Sequence, residues 1–309
     1  MSERSTRSRT RVLVTGAGGY MASRLVPELA RDYDLRLLDI RDVATEYDVV
    51  DVHIADLASP DRKGYRHLFS DVEIVVHLGY IRSSPSGVYD PTIPHIDRFE
   101  AEMANVQMAY NVYRCALEAG VRRVVVASSN HAADWYEHAL IHTRRREIVT
   151  PSDLPLSDNF YGWSKAAYEL MAFPFACGTF GRSLEVVLLR IGAPREVDAA
   201  DHIGRETGAQ PSIPGGVPGL KRDLGAYLSR EDGVQLFTRA IEAEDIRDEN
   251  GVPWLVAYGI SDNTRAFWSL ETARNVLGYE PQDDGDIRFA DQVGRWIADP
   301  GDPSPGKLG

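Results

Sequence analysis

Short apolar runs alternate with longer amphipathic stretches from residue 11 onward. "RVLVT" (11–15) reads as a buried strand, Tyr20 to Arg31 as a helix, and "LRLLDI" (35–40) as a second strand. Three further apolar runs, "VEIVVHL" (72–78), "RVVVASS" (123–129) and "LEVVLLRI" (184–191), have the length of strands. Helical periodicity fills the intervals around 99–119 and 161–179. Strands that are apolar throughout, separated by helices, predict a parallel sheet covered on both faces, a doubly wound α/β core. After Ile191 the alternation gives way to "GAQPSIPGGVPG" (208–219), whose Gly and Pro content predicts a loop. Helices are expected over 229–243, 269–277 and 287–297, and a last strand at "WLVAYG" (254–259). These elements are assigned to a smaller substrate-facing lobe. The Ser-, Arg-, Pro- and Gly-rich ends, 1–10 and 299–309, are expected to be disordered tails, because they cannot bury enough apolar surface to offset ordering entropy.

The first strand runs into "VTGAGGYMASRL", which sets Gly16, Gly19 and Ala22 at the spacing of a strand-to-helix turn that cradles a pyrophosphate. Gly16 allows the tight turn, Gly19 lets phosphates approach the backbone, and Ala22 lets helix and strand pack closely. Asp39 follows 23 residues after Gly16, at the end of the second predicted strand. A carboxylate there accepts hydrogen bonds from the adenosine ribose and repels a 2'-phosphate, so the expected cofactor is NAD. Arg41 is a minor argument for NADP. Asp56 is placed to meet the adenine, or to cap a short helix.

Charge and composition narrow the partners. With 46 acidic against 34 basic residues the formal charge is −12, which argues against nucleic acid. No apolar run reaches membrane-spanning length. The two cysteines, Cys115 and Cys177, are too few for a disulfide framework. A cytoplasmic enzyme acting on a small molecule is expected.

The chemistry is concentrated in "YGWSK". Positions i and i+4 share a helix face, so Tyr161 and Lys165 would point into the same space. A phenol acting as a base near neutrality needs its pKa to fall by about three, worth roughly 4 kcal/mol. A nearby ammonium and a positive nicotinamide ring could supply that. Ser129, at the tip of the 123–129 strand, can donate a hydrogen bond to the reacting oxygen.

A dinucleotide turn, a strand-tip serine and Tyr-x-x-x-Lys, in that order, resemble the extended short-chain dehydrogenase/reductase superfamily, with a Rossmann-type sheet and a small C-terminal substrate-binding lobe. Residues 11–191 would form the NAD-binding domain with the triad, and 192–298 mainly the lobe. "HLGYI", "ASSNHAADWY", "YGWSKAAYEL" and the downstream "YGISDNTRAFWS" look most like uronate dehydrogenases and related NAD-dependent sugar dehydrogenases, which oxidise an anomeric hydroxyl to a lactone. The resemblance implies Ser129, Tyr161 and Lys165 as the catalytic triad. It implies Asn130, His131 and Arg222 as substrate contacts, Arg222 holding a substrate carboxylate, the alternatives being that His131 only supports the site and that Arg222 pairs with Asp223 or Asp232. It further implies Tyr20, Met21, Ile40, Leu57, Leu78, Gly79 and Asn105 around the cofactor, and association into homo-oligomers.

The chain departs from that pattern where Arg82 replaces a small hydroxyl residue, where "SSPSGVYDPTIPHIDRFE" lengthens a connection, and where "HTRRRE" (142–147) adds three arginines. Such a run is usually a solvated face, but together with Arg82 it could receive a more strongly charged group than a carboxylate. A uronate is therefore the leading substrate, and a sugar phosphate or sulfonate its competitor. A nucleotide-sugar epimerase or dehydratase would share the triad, but "LRIGAPRE" lacks the Asn-x-Tyr-Gly-Pro segment usual there. A non-catalytic NAD-sensing module would be expected to lose Tyr161 or Lys165. His138 and His142 have the spacing of paired metal ligands without a third partner in the zinc-protease pattern, so no metal is expected.

Overall fold

The computed structural model describes residues 9–82, 93–204 and 215–298. The expected tails lie outside them, apart from residues 9 and 10. So do most of the lengthened connection, at 83–92, and part of the Gly/Pro-rich stretch.

Seven parallel strands form one sheet in the order β3-β2-β1-β4-β5-β6-β7. They are β1 (Arg11–Thr15), β2 (Asp34–Asp39), β3 (Asp51–Ile54), β4 (Ile74–His77), β5 (Arg123–Ser129), β6 (Glu185–Ile191) and β7 (Trp254–Gly259). Side chains alternate between the two faces with period two. Val12, Val14, Leu37, Ile74 and Val76 enter one core; Leu13, Leu38, Val75, Val124 and Val126 enter the other. Both faces being covered, the central strands β1, β4, β5 and β6 have almost no solvent side and read as largely apolar runs.

Helix α1 (Tyr20–Asp32) covers the first face together with α6 (Arg230–Glu242). Helices α2 (Phe99–Ala119) and α4 (Phe160–Ala176) cover the other. Between β5 and α4 lies the short α3 (Asp134–Tyr136), continued by a π-type turn over Glu137–Ile141. Strand β1 pairs with both β2 and β4, so successive connections leave it in opposite directions and open a crevice at its carboxyl end. The fold is a Rossmann-type doubly wound sheet.

Three details differ from the sequence reading. Strand β3 was not expected, because it is an edge strand with Val52 half-buried and Ile54 exposed, and so lacks a continuous apolar signal. The Gly/Pro-rich stretch ends inside a helix, α5 (Gly216–Ala226), rather than in a loop. Pro218 falls in its first turn, where a missing N–H costs nothing. The 269–277 and 287–297 helices are shorter than expected: a π-type turn over Ala273–Leu277, then α7 (Gly285–Arg288) and α8 (Ala290–Trp296). A separate small core joins Val197, Leu220, Leu224 and Tyr227 to Phe289, Val293 and Trp296. Strand β7 and helix α6, by contrast, belong to the main sheet and its cover.

Candidate active site

At the β1–α1 turn the backbone is drawn tight. Gly16 adopts φ +74°, and a Cβ there would stand 2.5 Å from the Gly79 nitrogen at the end of β4. The Gly16 N–H donates to Leu38 O (2.8 Å) and the Gly19 N–H to Gly16 O (3.0 Å). Ala22 is fully buried. At the tip of β2, Asp39 Oδ2 accepts from the Gly18 N–H at 2.8 Å and Oδ1 from the Arg41 N–H at 3.1 Å. The carboxylate is thereby fixed beside the turn with lone pairs to spare. The Arg41 guanidinium is occupied by Glu46 and donates to Gly18 O (2.6 Å). Tyr20 and Ile40 are exposed on either side of the turn, and Leu57 is buried. Asp56 Oδ1 accepts from the Ala58 N–H (2.9 Å) in a turn, not at the start of a helix; the short helical turn that follows, Arg62–Gly64, is capped by Asp61. A helix N-terminus, glycines with no room for side chains and a ribose-directed carboxylate fit a dinucleotide.

Thr15 and His77, neighbours across β1 and β4, share a buried hydrogen bond at 2.7 Å. Burial, reinforced by Lys165, pushes the His77 imidazole down to about 3.

The reacting groups stand where β5 ends and α4 begins. Asn159 caps α4, accepting from the Gly162 N–H at 3.0 Å, and its amide donates to Asp134 Oδ2 at 2.7 Å. The same Asp134 oxygen holds His131 Nδ1 at 2.9 Å. Gly162 is forced by this closeness, since a Cβ would lie 2.1 Å from the His131 carbonyl oxygen. The Tyr161 ring meets the rings of Tyr80 and His131 edge-on, at 5.4 and 5.5 Å. Ser129 Oγ accepts from the His131 N–H (3.2 Å), and Asn130 is buried beside it. The structure brings Ser129, Asn130, His131, Tyr161 and Lys165 together.

Lys165 is buried, and its ammonium donates to Ala127 O at 3.1 Å. It lies 5.0, 5.8 and 4.8 Å from the ring centres of Tyr80, Tyr161 and Tyr168. Burial lowers it to about 8, against the opposing pull of Glu102 and Glu169. The Tyr161 phenol stands above its ordinary value. Burial raises it most, the Ser129 hydroxyl lowers it, Glu102 and Asp134 raise it, and Arg82 lowers it. In the protein alone, the cost of desolvating a phenolate thus outweighs the lowering by Ser129 and Arg82.

Several supporting residues were not singled out in the sequence. Glu102, buried on α2, accepts from Tyr80 Oη, from Ser164 Oγ (2.6 Å) and from Asn105 Nδ2 (3.3 Å). Its signal was its place three residues before Asn105 on one helix face. Asn105 itself grips Ile81, accepting from its N–H (2.7 Å) and donating to its C=O (2.8 Å), which fixes the backbone next to Arg82. Glu169 holds Arg190 with bonds of 2.7 to 3.2 Å and accepts from Ser128 Oγ (2.7 Å), a buried ion pair beneath the site.

Arg222 is not presented as expected. Its Nε donates to Glu137 Oε1 (2.8 Å), Nη2 to Glu137 Oε2 (3.3 Å) and Nη1 to Asp223 Oδ1 (3.2 Å), and its face lies over Trp268. The cation is buried and already neutralised, by Glu137 and Asp223 rather than by Asp232. Arg146 of the arginine run is tied to Asp153 (2.6 and 2.8 Å). His138 and His142 do not converge: His138 pairs with Asp158 (2.8 Å) and His142 with Glu137 (3.2 Å). Asp134, His138 and Asp158 could offer atoms within 4.8 Å of one another, though these groups already bond to each other or to their neighbours.

Comparison with known proteins agrees with this geometry. A family model described as "NAD dependent epimerase/dehydratase family" matches residues 12–190. An NAD-dependent glucose-6-phosphate dehydrogenase of Haloferax volcanii is 30% identical over 291 residues, covering 88% of this chain and 93% of that protein. A uronate dehydrogenase of Pseudomonas syringae is 29% identical, covering 90% and 83% respectively. Among solved structures, uronate dehydrogenase from Agrobacterium tumefaciens superposes with a TM-score of 0.70 at 25% identity, covering 96% of this chain and 93% of that one. The chain belongs to the NAD dependent epimerase/dehydratase family.

Proposed function

We propose that this protein oxidises the C1 hydroxyl of an anionic aldopyranose to the corresponding lactone, with NAD as the hydride acceptor. The observation that carries the reading is the buried Tyr161 phenol, flanked by Ser129, His131 and Tyr80, with the Lys165 ammonium 5.8 Å from its ring. Ser129 polarises the sugar O1, and Tyr161 removes the O1 proton as the C1–H bond gives up its hydride, so a carbonyl forms at C1. Lys165 supplies the fixed positive charge that favours phenolate, at a site dry enough for that charge to act strongly. His131, held by Asp134, is positioned to bond a ring-side hydroxyl. Gly16, Gly19 and Asp39 would hold the dinucleotide, which would supply the hydride acceptor. The relatives named for uronate and glucose 6-phosphate oxidation support a sugar substrate with an acidic group.

The test is NADH formation, followed by absorbance, with glucuronate, galacturonate, glucose 6-phosphate and 6-sulfoglucose. Reduction of NAD with one of them is the expected result. NAD retained through purification without net reduction by any sugar would favour the epimerase reading instead.

A further inference from the structure

Among the described residues, a buried charged cluster that the reaction does not use surrounds Arg222. Glu137 lies three residues beyond Asp134, and three helical residues advance about 4.5 Å. Asp134 holds His131, which in turn touches Tyr161. The Glu137–Arg222 pair is thus about one turn beyond Asp134, the residue that holds the active-site histidine, and lies on the same segment that carries that histidine.

The pair is, however, closed on itself. Glu137 is 1% exposed and Arg222 4%, and the carboxylate meets the guanidinium edge with two bonds. Burial alone would raise the Glu137 carboxyl; Arg222 and the His142 hydrogen bond hold it far below the usual carboxylate range, so it stays ionised. Asp223 takes a third guanidinium hydrogen bond and is itself paired with Arg195 (2.8 Å) and His202 (3.2 Å). A substrate carboxylate arriving here would be the third anion on one guanidinium, and would have to displace Glu137 from a buried bidentate contact.

Resting on the C1-dehydrogenase reading above, we infer that Glu137 is a specificity-determining residue: its carboxylate fills the place of a substrate carboxylate on Arg222, so the enzyme discriminates against uronates. The acidic group of a good substrate must then be received elsewhere. Arg82 is near enough to the phenol to influence it electrostatically, and its backbone is steadied by Asn105 through Ile81.

The experiment compares kcat/KM for glucuronate and galacturonate with that for glucose 6-phosphate and galactose 6-phosphate, in the wild-type protein and in Glu137→Gln. The wild type should favour the phosphates at least tenfold. In Glu137→Gln that ratio should shrink at least tenfold, through a lower KM for the uronates. A wild-type preference for a uronate overturns the inference while leaving the dehydrogenase reading intact, as does a folded Glu137→Gln protein with an unchanged ratio. The wild-type ratio needs no variant, so it decides the matter even where the substitution unfolds the chain. No NADH from any of these four sugars or from 6-sulfoglucose overturns the dehydrogenase reading itself, and the inference with it.

Discussion

The β1–α1 turn and the β5–α4 junction both bring chemistry to the carboxyl edge of one sheet, but with opposite materials. The turn is made of backbone: Gly16 pressed against Gly79, N–H groups at a helix start, and one carboxylate steadied by two main-chain donors. The junction is made of side chains in a dry setting, where Tyr161 and Lys165 are surrounded by Tyr80, Glu102, Tyr168 and Glu169. Backbone sites depend on shape and tolerate changes of charge nearby. Buried polar sites depend on electrostatic balance, so a single altered proton is felt throughout.

The largest expected effect falls on the junction. Tyr161→Phe should lower kcat by about 10³-fold, roughly 4 kcal/mol, while NAD affinity changes little. Rapid-mixing absorbance and a fluorescence titration with NAD measure the two quantities, and an equal loss in both would erase the division between the regions.

Next comes the buried ammonium. Lys165 is held at about 8 in the folded chain against about 10.4 when unfolded, so between these values the unfolded chain binds more protons. Stability should therefore rise with pH from 8 to about 10, by at most about 3 kcal/mol. Lys165→Met should flatten that rise in urea titrations across the window.

The glycines give a sharper contrast at about 1 to 3 kcal/mol each, the usual cost of overpacking. Gly16→Ala should weaken NAD binding, because the turn must move away from Gly79. Gly162→Ala should instead lower thermal stability and kcat, by parting the start of α4 from the His131 carbonyl. Calorimetric NAD titration together with a melting curve separates them. Smallest is Asp39→Asn, expected to weaken NAD five- to tenfold and to narrow its advantage over NADP, since one charged hydrogen-bond acceptor is replaced by a neutral amide.

The same contrast explains what could be read from the chain. Helix α2 was legible at both ends because its apolar face repeats with helical period and Gly120 closes it at φ +82°. The nucleotide turn was legible because its parts are close together in sequence. Arg222 was not, because the residue that neutralises it stands 85 positions earlier and on a different element. Glu102 escaped notice for a related reason: its partners Tyr80 and Ser164 come from a strand end and another helix. Tyr161 and Lys165 could be paired from their spacing, but the burial that raises the phenol in the protein alone could not, since spacing reports neighbours and not how much water they exclude.

His77 carries one further consequence. An imidazole kept neutral by its surroundings down to about 3 is silent in any acid–base profile of the living range. Its ring resonances should stand still in a proton NMR titration from pH 5 to 9, giving an internal marker of whether the central strands remain docked when other histidines change state.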